Sequence, residues 1–515
     1  MTSAPRIDIP EILGSIGEHL TPYDLAQCVR VNRQWFSVLT PVLWRTVRVF
    51  DFAYIMNWKA NAGKFEWIEP GSIICKYNHL IRSITTRSHK TLKDITPNCT
   101  QLTFLELDFK FMIPTGHNAE KIHAWNLYMH KCRQDSGATL TTLIRQNPGL
   151  QTVHICLGAD DSFDTILDAL GGLQGLEELI WSDYLLEQCL RDLKTVLSKC
   201  RRLKRFAYGS TLDSMEGLFS PEEHLDDDFR LAGQLTMDDN SYELEQLILV
   251  HNVGQRNLPT ILESCPKLWS LRLPFLNAVD HFGLEHVVRH HCRYIQDIQV
   301  TVRDMAIHLL NDMLRSIARL TTLTLEYSTM TTESLNTLIL SHGTHLRRLS
   351  LLRGMSTIER GQAIVQILQY CPNLESFVSD HPIHGSRLVS LSPREMPPPS
   401  ASGTILTWPL KLKRLSLCVV KEYRPSLSRI PGQGAPSKVG TSTTEYQWEV
   451  LDAFSRRTML GSNLVFVELI RPPVTKQLMQ YDRVEWDEDL VLDFLRRAKE
   501  LDEIVVEGNS FRPSR

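Results

Sequence analysis

Leu320-Thr-Thr-Leu323-Thr-Leu325-Glu326, followed by Thr331-Thr-Glu-Ser-Leu335-Asn-Thr-Leu338-Ile339-Leu340-Ser341-His-Gly343, decides the fold of this chain. In the first run Leu320, Leu323 and Leu325 point one way, and Thr322, Thr324 and Glu326 alternate to the other. That is the period-two signature of a half-buried strand. The second run carries its apolar residues at helical spacing, with Thr331 or Thr332 as N-cap and Gly343 as the C-terminal cap. Strand then helix, closed in about 26 residues, cannot bury its own apolar face. It is stable only as one member of a stack.

The phrase Leu-x-x-Leu-x-Leu recurs, at Leu268-Trp-Ser-Leu271-Arg-Leu273 and at Leu346-Arg-Arg-Leu349-Ser-Leu351. Its first apolar position falls at Ile81, Leu102, Leu150, Leu176, Leu203, Leu244, Leu268, Ile295, Leu320, Leu346, Leu374, Leu412, Leu464 and Leu501. From Leu244 to Leu374 the steps are 24, 27, 25, 26 and 28 residues. These lie in the leucine-rich-repeat range. The implied architecture is an α/β solenoid, with parallel strands on the concave face and helices on the convex face.

The chain has 515 residues, too many for one ordinary core but natural for a stack. A net charge of −3 gives no electrostatic case for nucleic acid. No apolar run reaches the roughly 20 residues of a membrane helix, and Met1-Thr-Ser-Ala-Pro-Arg turns polar too soon for a secretory signal. A chain without membrane or nucleic-acid contacts, in the cytosol or nucleus, is expected. The 11 cysteines are odd in number and form no C-x-x-C pair. Cys99, Cys200, Cys265 and Cys371 each precede a repeat's first apolar residue, which reads as a small buried side chain and not as a disulfide framework.

Two Pro/Ser/Gly-rich stretches, 381–406 and 421–445, read as loops inserted in the solenoid. An acidic run from Glu222 to Glu245 reads as a solvated loop and lacks the order of a calcium-binding loop. No phosphate loop, G-x-S-x-G, H-E-x-x-H or RING-type Cys/His ladder is present. His123, His130 and Cys132, and His290-His291-Cys292, lack zinc spacing. The chain is expected to be non-catalytic and to need no metal or cofactor.

Residues 7–49 do not fit the repeat. Pro10 opens a helix whose face is Ile12, Leu13, Ile16 and Leu20. Thr21-Pro22-x-Asp24 is a break and cap, and Leu25, Cys28, Val29, Asn32 and Phe36 follow on a second helix. Thr40-Pro41-Val-Leu43-Trp44 completes a three-helix module. A module this small is marginal as an independent core and commonly completes it against a partner.

This segment resembles an F-box. Pro10, Glu11, Ile12, Leu13, Leu20, Asp24, Leu25, Val31, Arg33, Trp35, Pro41, Leu43 and Trp44 match that pattern. Ile9 replaces the usual Leu, and Gly17 stands where the family often has Phe. With the repeats behind it, the chain resembles the F-box/leucine-rich-repeat proteins found widely in fungi and other eukaryotes. The resemblance implies an F-box domain at 1–50, a linker and first degenerate repeat at 51–100, and the solenoid at 101–515.

The resemblance also implies a substrate receptor of an SCF (cullin–RING) ubiquitin ligase. Pro10, Ile12, Leu13, Ile16, Leu25, Val29, Val31 and Trp35 would face a Skp-type adaptor, and through it cullin. Leu20, Phe36 and Leu43 would pack the module itself. A scaffold with no ligase partner is the alternative, motivated by Gly17.

On the repeats the outward positions predict two columns. One runs Gln246, Ser270, Asp297, Thr322, Arg348, Ser376, Arg414. The next runs Ile248, Arg272, Gln299, Thr324, Ser350, Val378, Ser416. Arg272, Gln299, Thr324, Arg348, Ser350 and Arg414 are the candidate substrate contacts. The arginines would anchor an acidic or phosphorylated ligand.

Overall fold

A computed structural model describes residues 10–49, 76–86, 92–93, 96–108, 137–157, 163–183, 193–208, 241–249, 258–276, 283–302, 307–326, 331–352, 359–384, 409, 411–420, 466–469, 491, 503–506 and 509–512. The chain divides into two compact units. The first comprises Met1–His224, Leu235–Gln255 and Ser264–Lys267; the second comprises Leu225–Gln234, Arg256–Glu263 and Leu268–Arg515.

The first unit begins with three helices, α1 (Pro10–Glu18), α2 (Pro22–Cys28) and α3 (Arg33–Arg45). The Thr21 hydroxyl caps α2 by accepting from the Asp24 N–H at 3.2 Å. Asn32 does not continue α2. It adopts extended backbone and caps α3, its Oδ1 accepting from the Trp35 N–H at 2.9 Å. Asn32 and Phe36 therefore belong to the third helix. A short polar side chain that could cap a new helix outweighed the apolar spacing that would have prolonged the old one.

Among the described residues, seven strands follow in the first unit: β1 (Thr46–Val49), β2 (Ser83–Thr86), β3 (Phe104–Asp108), β4 (Thr152–Leu157), β5 (Glu178–Asp183), β6 (Arg205–Tyr208) and β7 (Gln246–Leu249). Each pairs in parallel with the next. The second unit carries β8 (Ser270–Leu276), β9 (Asp297–Val302), β10 (Thr322–Glu326), β11 (Arg348–Leu352), β12 (Ser376–His384), β13 (Arg414–Val420), β14 (Phe466–Leu469), β15 (Glu503–Val506) and β16 (Asn509–Phe511). Pairing is again parallel and sequential, except that β16 turns back antiparallel on β15.

Strands β2 to β15 each begin two residues after one of the apolar positions read from the sequence. Of those positions, Ile81 to Leu412 are buried, whereas Leu464 and Leu501 lie outside the described residues. The same offset places β1 after Trp44, so a further unit begins inside the stretch assigned to the F-box. Its marker is a tryptophan that the F-box pattern had already claimed.

The backbone repeats with the sequence. One carbonyl per repeat accepts two successive N–H groups from the next. Thr103 O takes those of Gln151 and Thr152, Glu177 O those of Lys204 and Arg205, and Thr321 O those of Arg347 and Arg348. Helices Ile307–Ser316, Thr332–His342 and Glu359–Tyr370 alternate with the strands of the second unit. Thr331 caps the middle helix, its hydroxyl accepting from the Ser334 N–H at 3.1 Å. Leu335 and Leu338 are buried, whereas Leu340 is exposed, since 100° per residue carries it to the outer side.

Gly343 does not cap that helix in a left-handed conformation; its φ is −52°. Glycine is needed there for close approach. A Cβ would lie 2.6 Å from Ile339 O and 2.9 Å from Tyr370 O.

Two buried polar side chains stitch neighbouring repeats. In the first unit Asn147 Oδ1 accepts from the Leu102 N–H at 2.8 Å, and its Nδ2 donates to Cys99 O at 2.7 Å and Leu143 O at 2.8 Å. In the second, His342 Nδ1 accepts from the Leu320 N–H at 3.4 Å while Nε2 donates to Leu314 O at 2.7 Å. The carbonyl can only accept, so this hydrogen-bond pattern assigns the neutral Nε2–H tautomer. Burial lowers the His342 pKa, the Leu314 bond works the other way, and the charge of His345 adds to the lowering.

Cys99, Cys200, Cys265, Cys292 and Cys371 are buried thiols outside any disulfide. Burial pushes the thiols of Cys99, Cys292 and Cys371 up to about 12. Cys292 donates to Leu262 O at 3.3 Å, as a core residue does. Within the inserted stretches, β12 continues to His384 through a register shift between Ser379 and Pro382. Residues 385–406 and 421–445, the acidic residues from Glu222 to Asp239, and His123, His130 and Cys132 lie outside the described residues.

Candidate functional site

The first candidate surface is the outer side of α1–α3. Helix α1 has two faces about 100° apart. Leu13 and Gly17, one turn apart, point inward, and Ile12 and Ile16 point out. Leu13 is 7% exposed and Leu25 5%, against 43% for Ile12 and 49% for Ile16. Leu13 and Leu25, expected to face an adaptor, are thus core residues of the module. A two-layer module needs an inner stripe, and these leucines supply it.

Pro10 and Val31 are exposed, and Val29 and Trp35 are half-buried. Phe36, expected inside, is exposed, and so is Tyr23, which the sequence did not single out. Leu20 and Leu43 are half-buried. Glu11, Ile12, Ser15, Ile16 and His19 line a shallow open depression on α1.

Gly17 packs against the module's core. A Cβ there would meet Leu39 Cδ2 at 2.7 Å, with Leu25 Cδ2 and Val42 Cγ1 at 3.6 Å. The position lets α1 approach α3 closely. A phenylalanine at this spot would point into the module, not toward a partner, so the glycine removes no apolar contact from the exposed face.

The module is tied to the first repeat. The Arg82 N–H donates to Arg45 O at 2.9 Å, and Trp44 stacks on Tyr77 with centroids 4.7 Å apart. Arg45 also pairs with Glu18 of α1 at 3.1 Å, a surface bond of small worth.

The second candidate surface is the outward side of the strands, considered unit by unit. In the first unit Phe104 meets the His154 ring edge-on at 5.1 Å. His154 Nε2 lies 2.6 Å from Glu178 Oε1, and Arg205 Nε donates to Glu178 Oε2 at 2.7 Å. Burial works to raise the Glu178 pKa, but the bonds and charges of His154 and Arg205 together outweigh it and hold the carboxyl below its ordinary value. The sequence did not reveal this chain of four residues, because they lie on four different strands spread from Phe104 to Arg205. Both carboxylate oxygens are taken, so the cluster reads as a cross-strand brace.

In the second unit the predicted columns are in register from Ser270 through Asp297, Thr322, Arg348 and Ser376 to Arg414. The neighbouring column runs from Arg272 through Gln299, Thr324, Ser350 and Val378 to Ser416. Gln246 and Ile248, expected to head these columns, belong to the first unit, where both are buried. Arg272, Gln299, Thr324, Arg348 and Ser350 are half-buried, and Arg414 is exposed.

The arginines are not equivalent. Burial lowers the Arg272 pKa, and Glu326 and Asp297 push it back, which marks those carboxylates as its electrostatic neighbours. Among the described residues, no group of three or more His, Cys, Asp or Glu could hold a metal, and no helix is long and apolar enough to cross a membrane.

Residues 10–49 match the F-box-like family. No curated protein matches the chain. Among solved structures, a chain of the crystal structure of the Rad7 and Elc1 complex in yeast is similar over 85% of this chain and 90% of that one. Its identity is 13% and its TM-score 0.39. A chain of the TLR13–ssRNA13 complex is similar over 83% of this chain and 48% of that one, with 11% identity and a TM-score of 0.33.

Proposed function

We propose that this protein is the substrate-binding subunit of a cullin–RING ubiquitin ligase of the SCF kind. The outer side of α1–α3 holds a Skp-type adaptor, and through it cullin, while the repeats hold a protein substrate. The observation that carries this reading is the exposure of Ile12 and Ile16 on a module that matches the F-box-like family. Val31 and Phe36 add to the exposed apolar surface. Large apolar side chains left in water on so small a module mark a partner surface.

On this reading the chain makes no bonds itself and works in the cytosol or nucleus without cofactor or metal. It raises the effective concentration of substrate lysines near the charged conjugating enzyme. The scaffold reading rested on Gly17, and that residue faces the module's interior.

The test is co-purification of the full chain with the Skp-type adaptor, beside an Ile12→Asp/Ile16→Asp variant. Both residues are exposed, so the variant keeps its fold, which circular dichroism checks. Capture by the wild type and loss in the variant is the expected result. A wild type that fails to capture the adaptor would leave the protein a scaffold.

A further inference from the structure

The helix Leu284–His290 lies in the second unit, ahead of Ile307–Ser316. Leu284, Val287 and Val288 are its buried stripe. His286 and His290 share the opposite side, because four residues at 100° each return a side chain to nearly the same direction, one turn further on. Both are exposed. Their ring centroids lie 4.5 Å apart, with the planes tilted by 45°.

Two neutral imidazoles one turn apart are a chelate. Each offers one nitrogen lone pair, and a helix that holds both on one face can present them to the same cation. A metal about 2.1 Å from a ring nitrogen lies about 3.2 Å from that ring's centre. Two rings at a right angle about it then have centres about 4.5 Å apart, against about 5.2 Å at a tetrahedral angle. The observed separation is the right-angle one, which suits the tetragonal sites of Cu²⁺ and Ni²⁺.

The neighbouring cations leave room for an ion. Arg289 donates to Ser316 Oγ at 3.2 Å, and Arg293 Nε donates to the His290 carbonyl at 3.3 Å, so both guanidiniums are engaged elsewhere. Desolvation and the charges of His286, Arg289, His291 and Arg293 lower the His290 pKa, which keeps its lone pair free at neutral pH.

We propose that His286 and His290 form a surface site for a divalent transition-metal cation, Cu²⁺ or Ni²⁺ ahead of Zn²⁺, with water in the remaining positions. Val287 stands where zinc proteases built on such a pair carry their general-base glutamate, so the site binds an ion without that chemistry. The site is independent of the ligase reading.

The test titrates the full, untagged chain with Cu²⁺, Ni²⁺ and Zn²⁺ by calorimetry, beside His286→Ala, His290→Ala and His291→Ala. Either of the first two should weaken the site at least roughly tenfold, since each ring forfeits the effective concentration its partner supplies. His291→Ala should leave it unchanged. All three positions are exposed, and circular dichroism checks the fold. At less than one equivalent of Cu²⁺, electron paramagnetic resonance should show two imidazole nitrogens in the wild type and one in either single variant. That spectrum of the wild type reads the site even if a variant fails to fold.

The proposal is overturned if the His286 and His290 variants bind as the wild type does, if His291→Ala costs as much as His290→Ala, if the copper spectrum shows a single nitrogen in the wild type, or if Zn²⁺ binds ahead of both other ions. Adaptor capture, measured on the same preparations, tests only the ligase assignment.

Discussion

Leu323 and Leu325 in the repeats keep none of their surface in water, whereas Ile12 and Ile16 on α1 keep nearly half of theirs. All four are aliphatic residues at the spacing their element requires. What separates them is supply: the stacked strands have neighbours to receive their apolar stripe, and among the described residues α1 has only α2 and α3. The module fills its inner side with Leu13, Leu25 and Leu39, and a second apolar stripe is left over. The contrast teaches that apolar periodicity reports what can be buried, and that what covers it has to be found elsewhere.

The contrast breaks if the buried and exposed leucine-like residues respond alike to truncation. Leu323→Ala should cost about 2–5 kcal/mol, read from chemical denaturation of the full chain, because its neighbours on both sides are fixed. Ile12→Ala and Ile16→Ala should cost less than about 0.5 kcal/mol each and act on adaptor capture alone. Equal losses at the two places would mean that α1 is covered within the chain.

Next in size are the two close approaches. Gly343→Ala places a methyl against two backbone carbonyls that cannot rotate away, and should cost about 1–3 kcal/mol. Gly17→Phe should cost a similar amount, lost from the module while the repeats keep their protection in hydrogen exchange. A Gly17→Phe chain that is fully stable and binds the adaptor more tightly would restore that position to the partner surface.

His342 sharpens the comparison inside the repeats. His342→Ala strands the Leu320 N–H and the Leu314 carbonyl in the core and should cost about 1–3 kcal/mol. Its folded pKa is lowered, so the unfolded chain binds the proton more readily. The stabilising contribution is therefore complete above the ordinary histidine value of about 6.5 and fades as pH falls through the lower folded value. Wild type should lose stability on acidification from pH 7 to 5 by more than His342→Ala does. Parallel pH profiles would remove the neutral bridge from the account. A smaller effect than that of His342 belongs to Glu178→Gln. It weakens a half-buried cross-strand brace and should cost under about 1 kcal/mol in the first unit.

The repeat was legible because its rule is local. An apolar residue, two spacers and two more alternating leucines placed the strands from β2 to β15, and the pair Thr331-Thr332 offered the helix cap, of which the structure uses Thr331. The candidate docking columns were legible for the same reason, since equal offsets from the first leucine put residues in register. The first strand was hidden behind Trp44, which serves two patterns at once. The turned-back β16 was missed because it carries no repeat.

In the module, sequence determined three helices and the F-box likeness. Which of Leu13 or Ile12, Leu25 or Phe36, faces the interior was a choice between stripes of equal hydrophobicity, and packing made it through the gap left by Gly17. The same holds for charge. The sequence could name Arg272, Arg348 and Arg414 together, because each sits at an outward position. Only the tertiary structure placed Asp297 and Glu326 beside the first and the Thr322 hydroxyl against Arg348, because such pairing depends on distances between strands that lie tens of residues apart.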